Sequence, residues 1–80
     1  MDNQRYFKDI VSLVEALSPY FNSNSLARVV DVNEGQMRQY VAGIRRPSQK
    51  TIRKINANLV LFGKELQNIR ITDFYDEISG

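Results

Sequence analysis

Cysteine and histidine are both missing from these 80 residues. Without cysteine there is no disulfide framework and no thiol nucleophile, and without either residue the usual zinc sites are excluded. The lack of histidine also removes the commonest side chain for proton transfer near neutral pH. The carboxylates are scattered and no glycine-rich phosphate loop occurs, so the chain reads as a non-enzyme without a cofactor. No apolar run approaches the roughly 18 residues that a membrane span needs. The opening MDNQRYFK lacks the pattern of a signal peptide. The expectation is one small, soluble, cytoplasmic domain with a thin core and no membrane partner.

Charge is present but unevenly placed. The net charge is only +2. Residues 25–54 carry Arg28, Arg38, Arg45, Arg46, Lys50, Arg53 and Lys54 against Asp31 and Glu34, a local net of +5. Residues 1–24 sum to −1 and residues 55–80 to −2. A central basic block between two mildly acidic flanks points to a polyanion partner.

Apolar spacing is helical along most of the chain. Phe7, Ile10, Val14 and Leu17 recur at intervals of three and four, which predicts a first helix over residues 3–18, capped by Asp2 or Asn3 and stopped by Pro19. Leu26, Val29 and Val30 mark a second helix over 23–30, with Asn22 as N-cap and Phe21 and Leu26 placed as a hydrophobic staple. Small Ala27 leaves room for another helix to approach. Met37, Tyr40 and Val41 mark a third helix over 34–42, with Asn33 as N-cap and Gly43 as its left-handed stop. The break between them, Asp31-Val32-Asn33, is a tight turn, and residues 22–43 together have the spacing of a helix-turn-helix.

After the loop GIRRPS, Ser48 is the cap of a long helix. Ile52, Ile55, Leu59, Phe62, Leu66 and Ile69 form a seam at 3-4-3-4-3 spacing, unbroken through Gly63. Lys50, Arg53 and Lys54 lie on its other side. The second half, Phe62 to Ile69, either joins the core or reaches past it, to fold back as a fifth helix or pair with a second chain. Ile69-Arg70-Ile71 alternates like a short strand. Residues 72–80, TDFYDEISG, form an acidic aromatic tail that is frayed or docks on this chain or a partner protein.

Leu26-Ala27, Val32, Met37, Tyr40, Gly43 and Pro47-Ser48 carry a family resemblance. The stretch is similar to the DNA-binding domain of the lambda-repressor-like Cro/CI (XRE) family, over roughly residues 20–60. The run MRQYVAGIRRPSQKT also resembles the DNA-binding tail of HicB-like antitoxins and related small bacterial regulators. The pattern departs from the family at Asp31, where glycine is usual because φ is positive there. Aspartate tolerates that region better than most residues. The resemblance implies an all-α, compact, four- to five-helix lambda-repressor-like domain over residues 1–71, with a long C-terminal helix and an acidic tail over 72–80.

The resemblance also implies a function, a sequence-specific transcriptional regulator with the third helix in the major groove of double-stranded DNA. It is expected to act as a homodimer on a pseudo-palindrome with half-sites about 34 Å apart. The candidate base-reading residues are Arg38, Gln39, Gln36, Glu34 and Asn33. Arginine pairs bidentately with guanine and glutamine with adenine. Glu34 either accepts from a cytosine amino group or only serves the positive end of the helix. Gly35 has no side chain to read with and instead allows close approach. The candidate phosphate contacts are Asn22, Ser23 and Asn24 at a helix start, which cap or bind phosphate or both, and Arg45, Arg46 and Lys50 around the loop. Ile44, apolar in a polar loop, packs on the domain or on a second subunit. The competing function is a helical interaction adaptor, an antitoxin-like or mobile-element partner that binds no specific DNA and works through the seam and the tail.

Overall fold

The computed structural model of the chain describes residues 5–72, so the expected caps Asp2 and Asn3 and the tail from residue 73 onward lie outside the described residues. Four helices follow in order, α1 (Ile10–Leu17), α2 (Ser23–Val30), α3 (Glu34–Val41) and α4 (Gln49–Gln67). There is no strand and no fifth helix among the described residues. Pairing along Ile69-Arg70-Ile71 therefore does not occur; these residues are exposed irregular chain.

Three of the four helix starts sit where local chemistry puts them. Asn22 accepts from the Ser25 N–H at 2.8 Å, Asn33 from the Gln36 N–H at 3.1 Å, and the Ser48 hydroxyl from the Thr51 N–H at 3.2 Å. Each side chain satisfies a backbone donor that the first helical turn leaves without a partner. The first helix differs. It begins at Ile10, not near residue 3, because Asp9 takes the cap and accepts from the Ser12 N–H at 2.8 Å. Hydrogen bonds from the Ser12 backbone, then from its side chain, hold the Asp9 carboxyl below its usual range. This contribution to stability is full at neutral pH and is lost as pH falls through the lowered pKa. Residues 5–9 run as non-helical chain, with the Arg5 guanidinium 5.2 Å from the centre of the Phe7 ring. Phe7 therefore leaves the α1 stripe and lines a cavity of about 180 Å³ with Ile10, Leu13, Ile55 and Leu59.

Both ends of the α2–α3 pair close in the same way. Asp31 takes φ 60° and ψ 47°. The Val32 N–H then reaches back to the Ala27 carbonyl at 2.9 Å and the Asp31 N–H to the Arg28 carbonyl at 3.4 Å. Gly43 takes φ 76°, with Ile44 N–H donating to Gln39 at 2.9 Å and Gly43 N–H to Tyr40 at 3.1 Å. These are paired-bond caps around a left-handed residue. Asp31 is the only non-glycine with positive φ among the described residues. Asp31→Gly should raise stability by about 0.5–1 kcal/mol, since relief of the left-handed backbone outweighs an exposed ion pair to Lys54. The urea midpoint measures it; a lower midpoint would mean that the Lys54 contact at 3.8 Å is the stronger of the two effects.

The core lies beneath α2 and α3. Leu26, Ala27 and Val30 of α2, Val32 of the turn, Met37 and Tyr40 of α3, Val14 of α1 and Ile55 of α4 are buried together. Burial of each large aliphatic side chain contributes about 1.5–3 kcal/mol. α2 packs on α3 and α4, and α1 packs on α3. Asn58 adds a tie that apolar periodicity does not reveal. Its side-chain amide donates to the Val30 carbonyl at 2.9 Å, satisfying an acceptor that the end of α2 leaves open.

The seam on α4 outruns this core. Ile55 is buried, Leu59 packs against the cluster, and Phe62 meets Phe21 edge to face at 5.7 Å. Beyond that point α1, α2 and α3 offer nothing to pack on, so Leu66 and Ile69 stand exposed. Ile52 is also exposed at the start of the seam. Gly63 neither breaks the helix nor ends it. The second half of α4 thus reaches past the core and does not fold back among the described residues.

Candidate nucleic-acid interface

Helix α3 divides into two faces by spacing alone. Met37, Tyr40 and Val41 turn inward, Met37 fully buried and Tyr40 nearly so. Gly35, Arg38, Gln39 and Ala42 recur at i, i+3, i+4 and i+7, which is one stripe on the opposite side. These four line a single open concavity with Asn33, Gln36, Ile44 and Arg45. A Cβ on Gly35 would stand 3.1 Å from Asn33 Oδ1 and 3.7 Å from the Arg38 guanidinium. Glycine there leaves room for the Asn33 cap.

The structure brings together four of the five residues expected to read bases. Asn33, Gln36, Arg38 and Gln39 share the concavity; Glu34 does not line it. Glu34 instead accepts from Arg28 Nη1 at 2.9 Å, bridging α2 and α3 across the turn. An exposed pair of this kind contributes about 0–1 kcal/mol. Arg38 Nη1 donates to Asn24 Oδ1 at a long 3.3 Å, so Asn24 at the start of α2 steers the arginine over the outer face of α3. This bond is exposed and weak, so Arg38 can exchange it for another acceptor at little cost.

Of the residues expected on phosphates, Arg45 lines that concavity and Asn24 is tied to it through Arg38. Asn22 has its carbonyl oxygen engaged as a cap, and Ser23 and Asn24 form the first turn of α2. Their backbone N–H groups have no intrahelical acceptor, and the positive end of the helix dipole lies there. Arg45 lines both the α3 concavity and a second depression with Lys8, Asp9 and Pro47, whereas Arg46 lines only the second. Lys50 stands exposed in the first turn of α4.

Ion pairing sharpens the charge pattern. Arg28 is paired with Glu34, and Lys54 approaches Asp31 at 3.8 Å. Both acids of the basic block are thus answered within it. The local excess falls on Arg38, Arg45, Arg46, Lys50 and Arg53, none of which forms an ion pair among the described residues. Ala42 lies on the outer stripe, as the spacing of Met37, Tyr40 and Val41 implies, whereas sequence reasoning missed Asn24 as the partner of Arg38. Nothing local signals that contact, since 14 positions separate its partners.

Among the described residues no group of three acidic side chains could hold a metal ion, and no helix is long and apolar enough to cross a membrane. No protein-family model matches this chain, and neither the curated proteins nor the solved structures contain a match to it.

Proposed function

We propose that this chain is a sequence-specific DNA-binding transcriptional regulator of the lambda-repressor-like Cro/CI kind, acting in the cytoplasm with α3 in the major groove. One observation carries the reading. The solvent face of α3 presents Asn33, Gln36, Arg38 and Gln39 in one concavity, with Arg45 beside them and no acid on its lining. A major groove about 12 Å wide admits a helix and displays guanine and adenine edges to those side-chain types. The small residues Gly35 and Ala42 let the backbone of α3 approach the base pairs. In this proposal Arg45 at the edge of that face, Arg46 and Lys50 after it, and the amides at the start of α2 supply the contacts to phosphates.

A homodimer on a pseudo-palindromic site belongs to the same proposal. Val60 and Leu61 are each 57% exposed, and Leu66 and Ile69 are also open to solvent around the free half of α4. That half carries one lysine, Lys64, and one glutamate, Glu65, so a second copy meets it without net repulsion. The same exposed residues favour the competing reading, an adaptor that engages a partner protein through α4 or the tail.

Selection from a random duplex library, with binding repeated at about 50 and 200 mM salt, separates the two. An enriched, two-fold symmetric motif is expected. Weak salt-sensitive binding with no motif would reject the regulator and leave the adaptor. On the recovered motif, Arg38→Ala and Gln39→Ala should each cost about 1–3 kcal/mol of discrimination at one base pair while changing non-specific binding little. Equal losses on every sequence would remove both residues from base reading.

A further inference from the structure

Ile44 is 73% exposed, although its position is one where hydrophobes usually pack back on their own helix. Val32 occupies the equivalent place after α2 and is 7% exposed. The backbone bonds are alike at the two sites, with the Val32 N–H on the Ala27 carbonyl and the Ile44 N–H on the Gln39 carbonyl, both at 2.9 Å. The difference lies in direction. Val32 turns into the core cluster, whereas Ile44 lines the α3 concavity with Ala42, Gln39 and Arg45. The methyl group of Ala42 and the branched side chain of Ile44 are the aliphatic surface of a concavity otherwise built from amides, guanidinium groups and Gly35.

We infer that Ala42 and Ile44 form a seat for the C5-methyl group of thymine, which makes Ile44 a specificity-determining residue. This rests on α3 lying in the major groove. There the thymine methyl is the one apolar feature that a base pair displays, and it is recognised by apolar contact. Ile44 suits the task because its β-branched side chain has little rotamer freedom to lose and its backbone is fixed by the cap. Gln39, next to the seat, pairs bidentately with adenine, so the two features together favour adenine and thymine at neighbouring positions.

Uracil in place of thymine tests the seat, since it removes only the methyl group. Duplexes recovered by selection with the wild-type chain are re-measured with uracil at each enriched thymine. Wild type should lose about fourfold at the seated position, equivalent to ~0.8 kcal/mol for one buried carbon. Ile44→Ser should bind thymine and uracil duplexes equally, and Ile44→Val should keep most of the difference. Thermal unfolding of both variants should match wild type, because the side chain is exposed. A uracil penalty that is the same in wild type and Ile44→Ser, or absent everywhere in wild type, overturns the seat and leaves base reading by α3 intact. A change from dimer to monomer in Ile44→Ser without a uracil effect also overturns it, assigning Ile44 to a subunit contact. Recovery of no motif by wild type fails base reading itself, and the seat with it.

Discussion

Met37→Ala is expected to remove about 2–5 kcal/mol of stability, through lost burial and the cavity left behind. Met37 has no solvent exposure and is among the largest fully buried side chains. A domain of this length has about 4–12 kcal/mol in all. The substitution therefore leaves a chain that is marginally folded or unfolded near body temperature. Urea unfolding followed by circular dichroism measures the loss, with Arg38→Ala as the comparison. The two positions are adjacent on α3 and face opposite ways. Met37→Ala should lower the unfolding midpoint and DNA binding together; Arg38→Ala should lower discrimination at an unchanged midpoint. A Met37→Ala midpoint within about 0.5 kcal/mol of wild type would show that the inner face of α3 repacks freely and that the core is looser than its burial implies.

Arg45→Ala combined with Arg46→Ala is expected to weaken binding to every duplex, whatever its sequence. Each phosphate contact contributes about 0.9 to the slope of log K against log salt, so the double variant should flatten that slope by about 1.8. Carried from 1 M to 0.1 M salt, the same slope difference is about 60-fold in affinity. Titrations at four or five salt concentrations, on a selected site and on an unrelated duplex, give both quantities. An unchanged slope would exclude phosphate contacts at these arginines. The single variants should not be equivalent. Both line the depression beside Lys8 and Asp9, but only Arg45 also lines the α3 concavity. Arg45→Ala is the one expected to alter base preference as well.

What could be read from the sequence was what local chemistry decides. Asn22, Asn33 and Ser48 cap their helices because a short polar side chain three residues before a backbone donor needs nothing distant. The left-handed residues at Asp31 and Gly43 are local for the same reason. The start of α1 was misjudged because Asp2, Asn3 and Asp9 are all capping types, and Phe7 fits the apolar stripe as well as it fits the cavity beside α4. Periodicity correctly placed Ile52 through Leu66 on one face of α4, but Ile69 falls beyond the helix end at Gln67, and periodicity says nothing about where the rest of the domain stops. That edge comes from the eight-residue lengths of α1, α2 and α3. The same holds at the candidate interface. The outward stripe of α3 was legible as the complement of Met37, Tyr40 and Val41. The Arg28–Glu34 bridge, the Arg38–Asn24 contact and the Asn58–Val30 tie were not, because each joins different helices and depends on how they are packed.

The brevity of α3 has a consequence in terms of information. Eight residues at 1.5 Å each make a helix about 12 Å long. Base pairs rise about 3.4 Å apart, so a helix of that length faces three or four of them. Four positions, each with four choices, distinguish about 256 sequences, while a genome offers about 10⁶–10⁹ competing sites. A single reading helix of this size is ambiguous by several powers of ten. A second copy multiplies the alphabet read, to about 65,000 combinations for eight pairs. On the proposed function, the short α3 limits how narrowly its own residues address a chromosome, and a narrower address calls for contacts from outside that helix, the proposed second copy foremost.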